Sequence, residues 1–235
     1  MPAPVNTPPE DSVAAQVHGR LRLALMRSRF RPGEKLTLRA LGEELGVSAT
    51  PIRAALARLV SEGALEQHDR RSVRVPTLSD ARFREVVELR MDLEGKAASR
   101  AAERAGPAEI AALEAIHAAM TAARLEGRME AMMLENERFH MALCALAGMP
   151  VLRRMVEGLW LQCGPLNAGL KSIRFLHQPE EHPHHEVIRA LHRGDGALAR
   201  LAVQRDISVY ADALLRRLPA INAARGVPAG VVDAA

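Results

Sequence analysis

The sequence predicts an all-α protein with a small β-wing: an N-terminal helical module closed by a short hairpin, then an antiparallel bundle of six or seven helices. Three observations carry that prediction. Apolar residues make up 48% of the 235-residue chain while aromatics make up only 3%, and Ala and Leu dominate, which favours packed helices over sheets. Residues 36–75, LTLRALGEELGVSATPIRAALARLVSEGALEQHDRRSVRV, read as helix, tight turn, helix and basic hairpin, the plan of a winged helix-turn-helix. From Leu78 onward the apolar periodicity is helical, with no convincing strand.

The elements follow in order. Residues 1–10, MPAPVNTPPE, read as a disordered N-terminus. A first helix is expected over about Ser12 to Arg29, with Val13, Val17, Leu21 and Leu25 at helical spacing, and RPG at 31–33 as a turn. Thr37 is placed to cap a helix whose apolar positions are Leu38, Leu41 and Leu45. Gly46 ends it where the chain must reverse. Ser48 is placed to cap the next helix, and Pro51 falls in its first turn, where a missing N–H costs nothing. Ile52, Leu56, Leu59 and Val60 form the buried stripe, with Arg53 and Arg58 off it, so the start of that helix is free to face base edges. Leu65 and Val73–Val75 are expected to pair as the wing, with Arg70 and Arg71 at its tip.

The winged module spans 11–76, a linker 77–80, the bundle 81–218 and a flexible tail 219–235. Helical runs cover roughly 79–104, 107–126, 129–147, 150–175, 179–193 and 195–217, separated by Gly and Pro breaks, and Gly164-Pro165 is expected to kink the fourth.

Charge is divided unevenly. Residues 1–76 carry 12 Lys+Arg against 8 Asp+Glu, whereas residues 77–235 carry 20 of each. The whole net charge of +4 therefore lies in residues 1–76, the segment that holds the winged module, as a polyanion-binding unit requires. Cys144 and Cys163, the only cysteines, sit in helical apolar patterns, as reduced buried thiols do. No stretch approaches a membrane span and the N-terminus lacks the apolar run of a leader, so the expected location is the cytoplasm, with no membrane partner.

The bundle holds a second signal: polar residues inside apolar stripes. Arg90 stands among Phe83, Val86, Val87, Leu93 and Ala97. Asn136 and His140, four residues apart, share a face with Met133, Leu143 and Cys144. His184 sits with Val187, Ile188 and Leu191, and Asp206 with Ala202, Val203, Val209 and Tyr210. A buried polar group without partners costs on the order of 1–3 kcal/mol, and a charge costs more. Convergence on one site is the cheapest explanation. One amide oxygen, two imidazoles and a carboxylate suit a divalent transition metal, zinc or nickel or similar. Arg90 would then meet a carboxylate effector bidentately, or else pair with Glu94 one turn later. His177, His182, His185 and His192 read as surface residues.

Both halves resemble one family. RPGEKL at 31–36, LGVSATPIRAALARLVSEGAL at 45–65 and the basic wing are similar to the DNA-binding domain of GntR-type transcription regulators. ELRMDLE at 88–94, NERFHMALCALAGMP at 136–150 and HHEVIRALHRGD at 184–195 resemble the all-helical FCD effector domain of the FadR subfamily. The likeness spans roughly 12–218. It implies DNA contacts from Arg39, Ser48, Ala49, Thr50, Pro51 and Arg53, with Ala49 in place of the usual Arg and Ala54 in place of the usual Glu. It also implies a metal site whose Asp, His, His, His ligands fall on Asn136, His140, His184 and Asp206, so two of the four are altered. Without an Arg at 49, base readout should be weaker by roughly 1–3 kcal/mol, and Arg70 and Arg71 would restore affinity without restoring readout.

The expected function is a homodimeric, ligand-responsive repressor that binds a double-stranded operator and senses a small organic acid, with Arg90 and the metal as its receptor. Two other classes frame the expectation. A metal-dependent enzyme of hydroxy or sugar acids would need a general base, and the carboxylate in question is already a ligand. A nucleoid protein would show neither sequence preference nor response to a metabolite.

Overall fold

A computed structural model of the chain describes residues 12–27, 29–69, 72–166 and 182–219. The expected N-terminal disorder, the wing-tip pair Arg70 and Arg71, the second half of the 150–175 run, and the tail beyond 219 lie outside them.

The winged module runs α1 (Val13–Met26), β1 (Lys35–Thr37), α2 (Leu38–Leu45), α3 (Ala49–Ser61), β2 (Glu66–Asp69) and β3 (Ser72–Arg74). Ser12 caps α1, accepting from the Ala15 amide at 3.1 Å. Thr37 caps α2, accepting from the Ala40 amide at 3.2 Å. Gly46 takes φ +68°, the left-handed turn that lets α3 follow at once. Ser48 holds the N-cap position of α3 but makes no side-chain cap bond, so that expectation is corrected: the first amides of α3 are left open to a ligand. The sheet is also larger than expected. Its order is β1-β3-β2, antiparallel throughout, and Leu36 faces Val73 across the extra pair.

Six helices of the bundle are described: α4 (Asp80–Ala102), α5 (Pro107–Leu125), α6 (Met129–Leu146), α7 (Pro150–Cys163), α8 (Pro183–His192) and α9 (Gly196–Leu215). At Gly164-Pro165 α7 gives way to a 3₁₀ turn over 164–166. α4 packs along α9, α5 along α6, and α8 against α9. No described helix is long and apolar enough to cross a membrane.

Two apolar cores form. One lies wholly in the bundle and includes Phe83, Leu113, Phe139, Leu143, Val203 and Ile207. The other is shared: Leu25, Ile52 and Leu59 of the winged module pack with Ala97, Cys144, Val156 and Trp160 of the bundle. α7 makes this junction by close approach. A Cβ on Gly164 would stand 2.9 Å from the Leu25 carbonyl oxygen, and one on Gly158 would stand 3.2 Å from that of Glu62. Residues 77–80 continue the packing rather than swing freely. Leu78 is buried in the bundle core, and Ser79 caps α4 by accepting from the Arg82 amide.

Candidate nucleic-acid interface and buried histidine cluster

The exposed face of the winged module gathers the expected DNA-contacting residues. Ser48, Ala49, Thr50 and Arg53 are exposed at the start of α3, and Pro51 is half-buried. Arg39 and Arg53 line one shallow cleft with Lys35, Thr37, Asp69 and Ser72, so α2, α3 and the wing meet there. Arg39 donates from Nε to Glu43 at 2.9 Å on a fully solvated surface, a contact that a phosphate displaces at little cost. Among the described residues nothing pairs with the Arg53 guanidinium. Lys35 and Ser72 both reach Asp69 Oδ2, at 3.1 and 2.6 Å, which braces the base of the wing.

In the bundle, four of the five polar residues read from the stripes are buried: Arg90, His140, His184 and Asp206. Asn136 is half-buried, one turn before His140. His140 from α6, His184 from α8 and Asp206 from α9 bring one donor atom each within 4.8 Å of one another. His140 Nε2 lies 3.0 Å from Asp206 Oδ2, and His184 Nε2 lies 3.6 Å from the same oxygen. His184 Nε2 is fully buried and makes no hydrogen bond. An orphaned imidazole nitrogen facing a carboxylate and a second imidazole is a donor set that fits a transition-metal ion.

Behind His140 stands Glu94. Its Oε2 lies 2.7 Å from His140 Nδ1, close but not aligned for a full hydrogen bond. Its Oε1 accepts from Arg90 Nε at 2.7 Å and from Trp160 Nε1 at 3.1 Å. The Arg90 guanidinium lies 4.1 Å from the centre of the Trp160 ring. The Arg90 Nε and its charge thus engage Glu94, one of the two roles open to it in the sequence.

The electrostatics explain why the cluster tolerates burial. Glu94 and Asp206 bring two negative charges and Arg90 one positive charge. Burial alone would raise the Glu94 carboxyl, but Arg90 and His140 hold it down to about 2. Burial alone would lower His140, but the Glu94 charge and the Asp206 hydrogen bond push it up to about 9. The remaining negative charge thus calls for a cation at His140 Nε2, either a proton or a metal ion. Burial lowers His184, outweighing the opposing pull of Asp206.

Two further histidines join the cluster. His117 of α5 is buried, and its Nδ1 lies 3.3 Å from His184 Nδ1. It continues the α5 stripe of Ile110, Leu113 and Met120, the same signal that betrays His140, and sequence reasoning passed over it. His182, expected on the surface, is half-buried, with its ring 4.3 Å from that of His184. Burial and then the neighbouring His184 push His117 down to about 4 and His182 to about 3. His185 is exposed as expected, yet its Nε2 reaches His117 Nε2 at 3.1 Å.

A winged DNA-reading head joined through a common core to a helical domain with a buried polar centre defines a DNA-binding transcription regulator. Comparison with known proteins agrees. Residues 13–75 match the bacterial regulatory proteins of the gntR family, and residues 85–208 match the FCD domain. The chain belongs to the GntR family of regulators that carry an FCD domain. It is 34% identical over 154 residues to the HTH-type transcriptional regulator McbR of Escherichia coli K12, covering 66% of this chain and 70% of that one. The solved structure of E. coli McbR/YncC superimposes with a TM-score of 0.82 at 29% identity, over 88% of this chain and 98% of that one. A probable D-xylose utilization operon transcriptional repressor of Paenarthrobacter nicotinovorans is 25% identical over 213 residues, 91% of this chain and 93% of that one.

Proposed function

We propose that the chain is a homodimeric repressor whose DNA grip is set by a small carboxylate and a divalent metal ion bound at the buried cluster. One observation carries the reading. Trp160 belongs to the core shared with α1 and α3, and its indole N–H is held by Glu94, the carboxylate that abuts His140. A change of charge at His140 thereby reaches the DNA-binding head through Glu94, Trp160 and α7. The glycine-mediated seat of α7 on α1 and on the end of α3 makes α7 a short route to that head.

His140, His184 and Asp206 would hold the ion, with Asn136 one turn away as a further candidate. When bound, the ion supplies a Lewis-acid anchor for a carboxylate oxygen. Glu94 Oε2, 2.7 Å from His140 Nδ1, would draw that side of the ring toward its charge and leave Nε2 facing the ion. Arg90 acts through Glu94. Glu94 and Asp206 are both engaged by cationic or imidazole partners, so neither stands free as a general-base carboxylate, which favours sensing over turnover.

On the DNA side, Arg53 reads a base edge while Arg39, Ser48, Thr50 and the open amides of α3 meet phosphates. Arg70 and Arg71 would extend that grip along the backbone. Two copies bind a pseudo-palindrome, because one short recognition helix reads too few bases. The reading is tested by selecting genomic fragments on purified protein and by assaying metal content and co-purified acids by mass spectrometry. A palindromic consensus, a bound ion and an acid that releases the DNA are expected. Binding without sequence preference, or an acid with no effect on it, overturns the reading.

A further inference from the structure

We propose that His117, His182 and His184 form a second metal position, built of imidazole nitrogens alone, that takes a late first-row divalent ion of the zinc, nickel or copper kind. One nitrogen from each of the three rings lies within 4.8 Å of the others. His117 and His184 are buried and His182 is half-buried. The 3.3 Å between His117 Nδ1 and His184 Nδ1 is the separation of two nitrogens that each stand about 2.0–2.1 Å from a tetrahedral zinc ion.

This position differs from the one formed with His140 and Asp206. His184 faces the two with different atoms: Nε2 toward Asp206 and Nδ1 toward His117. Phe139 stacks flat on the His184 ring, 3.8 Å between centres and 11° between planes, and holds it in that orientation. His185 holds the outer nitrogen of His117, at 3.1 Å, which points His117 Nδ1 inward. The three donors are imidazoles, with Asp206 Oδ1 3.7 Å from His182 Nδ1 at the edge of the set, so it disfavours magnesium, calcium and manganese and favours later ions. An ion there would tie the middle of α5 to the start of α8, which begins at Pro183 with His182 as its N-cap residue.

The inference shares His184 with the proposed effector site but does not need that site to be filled. It is tested on the full chain, stripped with chelator and titrated with Zn(II), reading equivalents bound by elemental analysis after desalting. Wild type is expected to bind two equivalents. His117→Ala is expected to bind one, and Asp206→Ala one, with circular dichroism confirming a folded bundle in each. His117→Gln replaces the alanine variant if that one unfolds. If wild type binds a single ion that survives in His117→Ala and is lost in Asp206→Ala, the all-histidine position is wrong and the first position stands. If the single ion is lost in His117→Ala and kept in Asp206→Ala, the inference stands and the first position falls.

Discussion

Replacing Trp160 with Phe isolates the joint between the buried cluster and the DNA-binding head. Phe keeps a ring in the shared core but cannot donate to Glu94 Oε1, now 3.1 Å from the indole nitrogen. A hydrogen bond to a charged group contributes about 1.5–3 kcal/mol. Glu94 retains Arg90 and His140, so the lower half of that range applies. The smaller ring also vacates part of a site where Trp160 is only 3% exposed, adding about 1 kcal/mol. The expected loss is therefore about 2.5–3 kcal/mol, read as a lowered urea midpoint at unchanged slope. Operator affinity without effector should stay close to wild type, because no DNA-facing residue moves, while the affinity change on adding effector should shrink. A loss under about 0.5 kcal/mol with an intact effector response would refute the proposed route through Trp160.

Three further outcomes are expected. Arg53→Ala should weaken cognate operator binding by about 1–3 kcal/mol in a fluorescence titration while leaving random DNA nearly unaffected; equal losses would move Arg53 to the phosphates. His140→Ala combined with His184→Ala should abolish metal binding, since His184 serves both positions and His140 one, while sedimentation still shows a dimer; unchanged metal content would refute the cluster. In metal-free protein, His140 has a folded pKa of about 9, raised above its unfolded value of about 6.5. Its contribution to stability is whole below the unfolded value and is lost as pH rises through about 9, so urea midpoints should fall across that window. A flat profile there, or a rising one, would contradict the charge balance at Glu94 and Asp206.

The winged module was legible because its signals are local. Thr37, Gly46 and Pro51 each act on their own turn of chain, and all three stand where the sequence places them. β1 was missed because Lys35–Thr37 owes its extended shape to Arg74, Val73 and Ser72, nearly forty residues on. In the bundle, a polar residue inside an apolar stripe correctly marked burial for Arg90, His140, His184 and Asp206. The same test, applied to α5, would have found His117. His182 could not be found that way, since it precedes Pro183 and its helix and belongs to no periodic stripe. Glu94 was legible as an Arg90 partner. Its second role, between Trp160 and His140, depends on α4, α6 and α7 crossing, which no spacing in one helix reveals.

The claim that the two halves are coupled is tested most directly by measuring Zn(II) affinity in the presence and absence of saturating operator DNA. Coupling is reciprocal, so if the buried cluster alters the grip on DNA, DNA must alter the grip on the ion by the same factor, on the order of 5–150-fold. The account predicts such a shift in wild type and a smaller one in Trp160→Phe. Identical zinc affinity with and without operator would contradict it.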